Sequence, residues 1–177
     1  LSEEVSSGFC IIEDKNDHVW YGGPSGLFLI DKKKANSRPE KISSLRVFNL
    51  VQFNDSILWA GTRKGSIFQI NTHTLKVTSL PILPHTDLYI TYIYPDSHQR
   101  IWIGTDNNGL YVSDRNGSII ASYSKEQLGS NAIKGIIEDE MNNIWVGTGS
   151  GLCCINPQME NIDRYTTADG LPINQFN

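Results

Sequence analysis

Histidines, acidic pairs and one glycine-rich run are the parts of this chain whose residue types suit chemistry. General acid–base work or metal binding needs such groups gathered at one unique place. His18 and His98 fall at equivalent polar turns of two different segments, His73 falls in another turn, and His85 in a connecting stretch. Each reads as a surface polar residue. Glu13-Asp14 and Glu138-Asp139 occupy the same place in two copies of one pattern. A position repeated through the chain points to structure, because a catalytic site is normally unique. Gly147-Thr148-Gly149-Ser150-Gly151 has the glycines of a phosphate loop, but Leu152-Cys153-Cys154-Ile155 follows as a strand, whereas such a loop opens a helix. Asp14-Lys15-Asn16-Asp17 and Asp106-Asn107-Asn108-Gly109 have the oxygen ligands of a calcium loop without its closing Glu. They read as Asx turns. No catalytic residue, metal site or cofactor is therefore expected.

The elements that carry these residues come in copies. Trp20, Trp59, Trp102 and Trp145 are all the tryptophans of the chain, and each stands just before a glycine-bearing loop. They are spaced by 39, 43 and 43 residues. A fixed period near this length marks a solenoid, an array or a propeller. Each copy begins with an apolar run such as Phe9–Ile12, Phe48–Phe53, Tyr89–Tyr94 or Ile133–Ile137. The run ends at Asp14, Asn54, Asp96 or Asp139, whose side chain can bond the N–H groups of its own turn. A Trp strand follows, then a loop containing Gly61, Gly104 or Gly147 or its equivalent, then a third and a weaker fourth strand. No stretch has helical period.

Four-stranded antiparallel meanders repeated in this way predict an all-β fold of β-propeller blades. The blades span approximately 5–44, 45–86, 87–129 and 130–168, and 169–177 opens a further one. About four blades make an arc of a larger propeller. The first strands are the most continuously apolar, as expected of strands covered on both faces, and are placed innermost. Each Trp is expected to pack between neighbouring blades.

Composition agrees with a globular domain: 177 residues, 39% hydrophobic and 19% charged. A net charge of −4 gives no reason to expect nucleic acid as a partner. No apolar run is long enough to span a bilayer, so this segment is not expected to insert in a membrane. Cys10, Cys153 and Cys154 have neither a disulfide nor a zinc spacing. Adjacent Cys153 and Cys154 read as small hydrophobes on opposite faces of a strand.

The pattern of an apolar strand ending in Asp, a polar turn, Ile-Trp-Ile-Gly-Thr, Asn-Gly-Leu and a closing Asp resembles the two-component regulator propeller repeat. Asp96–Asp114 carries it most fully, and Asp139–Asn156 nearly so. The first copy departs from it at Gly22-Gly23 and the second at Gly65-Ser66. The resemblance implies a periplasmic sensor region of a bacterial membrane histidine kinase, often a hybrid one, responding to glycan fragments. This segment would itself not be an enzyme. A polysaccharide lyase or hydrolase and a protein-interaction scaffold are the alternatives.

In a propeller the loops between second and third strands share a face with the inter-blade connections, and variable residues converge there. Arg63, Lys64, Asp106, Asn107, Asn108, Tyr89, His85 and Lys125 are the expected ligand-binding set, suited to a polyhydroxylated or anionic sugar. An oligosaccharide is the expected ligand. Further blades of the parent chain, or a second copy, are the expected partners of the blade faces.

Overall fold

The computed structural model describes residues 10–62, 65–80 and 88–174. The sixteen strands form four separate four-stranded antiparallel sheets. The first sheet runs β1 (Cys10–Glu13), β2 (His18–Gly23), β3 (Gly26–Asp31) and β4 (Glu40–Ser43). The second runs β5 (Val47–Asn54), β6 (Ile57–Thr62), β7 (Ile67–Asn71) and β8 (Val77–Leu80). The third contains β9 (Ile90–Pro95), β10 (Ile101–Thr105), β11 (Leu110–Ser113) and β12 (Ile119–Tyr123). The fourth contains β13 (Ile133–Glu138), β14 (Ile144–Thr148), β15 (Gly151–Ile155) and β16 (Ile162–Tyr165). In every sheet the strands lie in chain order, each paired to the next. This is the meander of a propeller blade. The strands fall where the alternation of apolar runs and turn residues predicts them.

The chain divides into two compact units, Leu1–Asp87 and Leu88–Asn177. In the first, Trp20, Leu27 and Leu29 of the first sheet pack with Val47, Leu58 and Ile70 of the second. In the second, Trp102, Leu110 and Val112 of the third sheet pack with Ile133, Ile136 and Val146 of the fourth. The expected burial of tryptophan between neighbouring sheets is met at Trp20 and Trp102, both 0% exposed.

Two expectations need correction. The first strands are not the most covered ones. Every residue of β10 is buried, whereas Ile11 on β1 is 71% exposed and Ile137 on β13 is 60% exposed. The cause is the face: Ile11 alternates with Cys10 and Ile12, which pack against the core shared with the second sheet, and Ile137 follows Ile136, which packs against the core shared with the third, so each points to the other side of its strand. Helix is not wholly absent either. One helical turn, α1 (Lys125–Leu128), joins β12 to β13, and a 3-10 turn, Thr167–Asp169, follows β16. Each is too short to show a period. Local signals make them instead: a capping box at Ser124 or Thr166 and a left-handed glycine, Gly129 or Gly170, at the end.

Cys153 is buried, and its thiol approaches the Leu128 carbonyl at 3.4 Å. Cys154 faces the other side and is half-buried. Burial pushes the Cys153 thiol up to about 11 and Cys10 likewise to about 11, so neither is a nucleophile at neutral pH.

Candidate functional site

Two arrangements of polar side chains stand out, one at each end of the strands. The first is a clamp at the turn between first and second strands. In the third sheet Asp96 Oδ1 accepts from the backbone N–H groups of His98 (2.9 Å) and Arg100 (2.8 Å). Its other oxygen, Oδ2, accepts from the Trp102 indole N–H at 2.8 Å and from Arg100 Nε at 2.5 Å. The fourth sheet repeats this with Asp139: Met141 and Asn143 N–H on Oδ1, and Trp145 and Asn143 side chains on Oδ2. The first sheet repeats it with Asp14, Asn16, His18 and Trp20. One carboxylate thus shapes the turn and satisfies a buried indole, which would otherwise lose a hydrogen bond on burial.

Electrostatics follow from those bonds. The Trp145 indole and the Asn143 donors hold the Asp139 carboxyl down at about 2. At Asp14 burial opposes ionisation, but the bonds from Trp20, His18 and Asn16 outweigh it and the carboxyl lies below its usual range. His18 is therefore not a surface residue as expected. It is half-buried with Nδ1 3.1 Å from Asp14 Oδ2. His73 and His98 are exposed, as their turns predict. The clamp is architectural: each carboxylate bonds the turn and the indole of its own hairpin.

The second arrangement is the opposite, loop-bearing end of the unit Leu88–Asn177. The loop between β10 and β11 and the inter-sheet connections do meet there. Asp106 N donates to Tyr89 O at 3.0 Å, Gly109 N to Asn131 O at 2.9 Å, and Gly149 N to Ala132 O at 3.0 Å. Thr105 supports the loop, its hydroxyl donating to Gly109 O (2.8 Å) and accepting from Asn108 N (2.9 Å). Gly109 is required here: its φ is +78°, and a Cβ would lie 2.1 Å from Tyr123 O. The loop is therefore held by backbone bonds while Asn107 and Asn108 are exposed and Tyr89 is 49% exposed.

Asp106 and Tyr89 are brought together, with Asn107 and Asn108 adjoining. Lys125 lies on a separate element, at the start of α1, and is exposed. Arg63, Lys64 and His85 lie outside the described residues. The residue that sequence reading missed is Lys134, whose ammonium sits 3.7 Å from Asp106 Oδ1. Its only signal was a charge on an otherwise apolar first strand, Ile133–Ile137. The described residues of this surface are one acid, one base, two amides and an aromatic ring, groups that hydrogen-bond and stack. Among the described residues no three His, Cys, Asp or Glu side chains gather to hold a metal. No helix among them is long and apolar enough to cross a membrane.

These four meanders are blades of a β-propeller. Solved propeller domains share the arrangement. The extracellular domain of a hybrid two-component system of B. thetaiotaomicron superposes with a TM-score of 0.79 at 24% identity, over 98% of this chain and 24% of that one. That of a one-component system of the same organism superposes with a TM-score of 0.76 at 22% identity, over 94% of this chain and 26% of that one. Virginiamycin B lyase from Staphylococcus aureus gives 0.75 at 17% identity, over 94% of this chain and 57% of the lyase. Residues 85–107 and 127–150, parts of the third and fourth repeats, match the two component regulator propeller family. A histidine kinase, P4, of Formosa agariphila is 25% identical across the whole of this chain. The chain spans 17% of that kinase's length.

Proposed function

We infer that this chain is a ligand-sensing propeller segment from the extracytoplasmic part of a two-component histidine kinase. One observation carries the reading: regulator-propeller repeats at 85–107 and 127–150 lie in a chain that aligns throughout with a histidine kinase. The extracellular setting of two structural neighbours supports the location. The ligand is an oligosaccharide, taken by the loop surface of Asp106, Asn107, Asn108, Tyr89 and Lys134. Amides and a carboxylate pair with hydroxyls, and an exposed aromatic ring stacks on the apolar face of a sugar. Arg63, Lys64, His85 and Lys125 are the other residues expected to contribute. The segment itself transmits rather than reacts. Ligand must bind one arrangement of the parent protein more tightly than another, since equal affinity shifts nothing.

Titration calorimetry with a panel of oligosaccharides tests this. Binding that weakens at least tenfold in both Tyr89→Ala and Asp106→Ala, with unfolding unchanged, is the expected result. Binding unaffected by both substitutions removes the surface from consideration, and an absence of binding across acidic and neutral glycans removes the carbohydrate reading. The lyase neighbour motivates a second reading, an enzyme on the same fold. Release of shortened or unsaturated products from the same glycans would favour it.

A further inference from the structure

The first sheet differs from the other three in the loop between its third and fourth strands. Residues 32–39 join β3 to β4, the longest of these connections; the others are 72–76, 114–118 and 156–161. All start alike, with an Asp or Asn where the third strand closes. Its side chain accepts from the N–H of its own turn: Asp31 from Lys33 at 2.9 Å, Asn71 from Thr74 at 2.8 Å, Asp114 from Asn116 at 2.8 Å and Asn156 from Glu160 at 2.9 Å. The first sheet then adds a second curl. Ser37 N donates to Lys34 O at 3.2 Å, Ser37 Oγ accepts from Asp31 N at 3.2 Å, and Asn36 takes a left-handed φ of 58°. Pro39 follows, and a residue before proline is kept extended, so Arg38 runs straight on into β4. Curl and strand bound a hollow of about 320 Å³, a size that takes a small ligand. Leu29, paired in register with Glu40 and 5% exposed, is part of its wall.

The charges around this hollow are of two kinds. The run Lys32-Lys33-Lys34 has the look of an anion site, but every member is engaged. Lys32 Nζ lies 2.5 Å from Glu13, Lys33 Nζ 3.2 Å from Asp17 and Lys34 Nζ 3.3 Å from Asp31. The Lys33 N–H and the Lys34 ammonium hold the Asp31 carboxyl below its usual range, so that pair stays ionised. Arg38 and Glu40 are different. Both line the hollow, both are exposed, and neither has an ion pair among the described residues. They stand two residues apart in extended chain, so their side chains leave on one side with Cα atoms about 6–7 Å apart. The hollow thus presents one free guanidinium and one free carboxylate beside an apolar wall.

We propose that this hollow binds a small zwitterion, a free α-amino acid, with its carboxylate on Arg38, its ammonium on Glu40 and its side chain against Leu29. A guanidinium grips a carboxylate through a two-bond fork, and a carboxylate accepts from an ammonium. A simple anion drawn to Arg38 would meet Glu40, and a simple cation drawn to Glu40 would meet Arg38. A molecule carrying both charges close together satisfies both. The site lies within the unit Leu1–Asp87 and is independent of the loop surface and its ligand.

Calorimetric titration of the full chain at neutral pH with glycine, L-alanine, L-leucine and L-glutamine tests this, with acetate and methylamine as one-charge references. At least one amino acid should bind with a Kd of about 10 mM or tighter, and both references roughly tenfold more weakly, since each forfeits a charge-assisted contact. Arg38→Gln and Glu40→Gln should each weaken amino-acid binding by roughly tenfold for the same reason. The exchange of Arg38→Glu with Glu40→Arg should restore it to within about threefold of the parent, because a zwitterion can turn around. The proposal is overturned if none of these amino acids binds, if acetate or methylamine binds as tightly as they do, if binding survives both Gln substitutions, or if the exchange leaves it as weak as they do. Both Gln variants should keep the parent's unfolding midpoint, the side chains being exposed and unpaired. Should either lower it, the comparison of amino acids with the two references in the parent protein decides alone.

Discussion

The second and third sheets hold the same residue in the same register and treat it differently. Trp59 pairs with Val51 and Gln69, Trp102 pairs with Tyr94 and Val112, and both are 0% exposed. Trp102 donates its indole N–H to Asp96, whereas Trp59 Nε1 has no partner among the described residues. The difference starts in the turn. From Asp96 to Trp102 is six residues, as from Asp14 to Trp20 and from Asp139 to Trp145; from Asn54 to Trp59 is five. The shorter turn comes with a register shift between Gln52 and Asn54, and Asn54 ends exposed, its side chain accepting from Ser56 N at 3.0 Å. A carboxylate reaches both turn and indole only where the turn is long enough to fold it inward. In the longer turns the residue three after the Asp takes a left-handed conformation: Asp17, Gln99 and Asn142, with φ of 65°, 61° and 63°.

The strongest way to break this comparison is to remove the ring. Trp102→Ala should cost about 3–5 kcal/mol in urea unfolding. Trp145→Ala should cost well under that while its face is uncovered, and equal losses would mean that cover is not what distinguishes them. Next comes the carboxylate. Asp96→Ala leaves the buried Trp102 N–H and the Arg100 guanidinium without their shared acceptor, a loss of about 3 kcal/mol by the same measurement. A loss below about 1 kcal/mol would show the clamp to be ornamental.

Acid titration gives a third handle. The Asp139 carboxyl is depressed in the fold from 3.8 to about 2, so its ionised form favours the folded state. That contribution is whole above about pH 4 and disappears as the pH falls to about 2. Melting temperatures taken across this window should fall less for Asp139→Asn than for the parent protein. Smaller again, Gln99→Gly should stabilise by about 0.5 kcal/mol, because glycine enters the left-handed region without a Cβ clash. Last, Asn54→Asp should shift stability by under about 0.5 kcal/mol in either direction, since the exposed side chain does not approach Trp59. A large gain there would mean that charge, not turn length, is what the second sheet lacks.

Much of the clamp was visible beforehand, but only as two separate facts. A recurring Asp or Asn at the end of each first strand reads as a turn residue, and a recurring Trp reads as packing. Both readings hold. Their hydrogen bond was missed because a turn needs one carboxylate oxygen, and the direction of the other depends on how the hairpin closes. The six-residue interval shared by the first, third and fourth copies was the available clue. The loop surface was legible to the same degree. Asp106, Asn107, Asn108 and Tyr89 lie together because backbone bonds tie the loop to the connection. Lys134 was overlooked because it belongs to a strand.

The sequence by itself determined the unit of construction: four copies of one meander, the strand limits and the residue types at each turn. Repetition makes that possible, because four imperfect copies average out the ambiguity of any one short strand. Only the tertiary structure decided which copies complete the design. Whether an indole finds its acceptor and whether Lys134 meets Asp106 both depend on groups brought together across a hairpin or between sheets. Those distances arise from packing, and neither residue type nor local spacing encodes them.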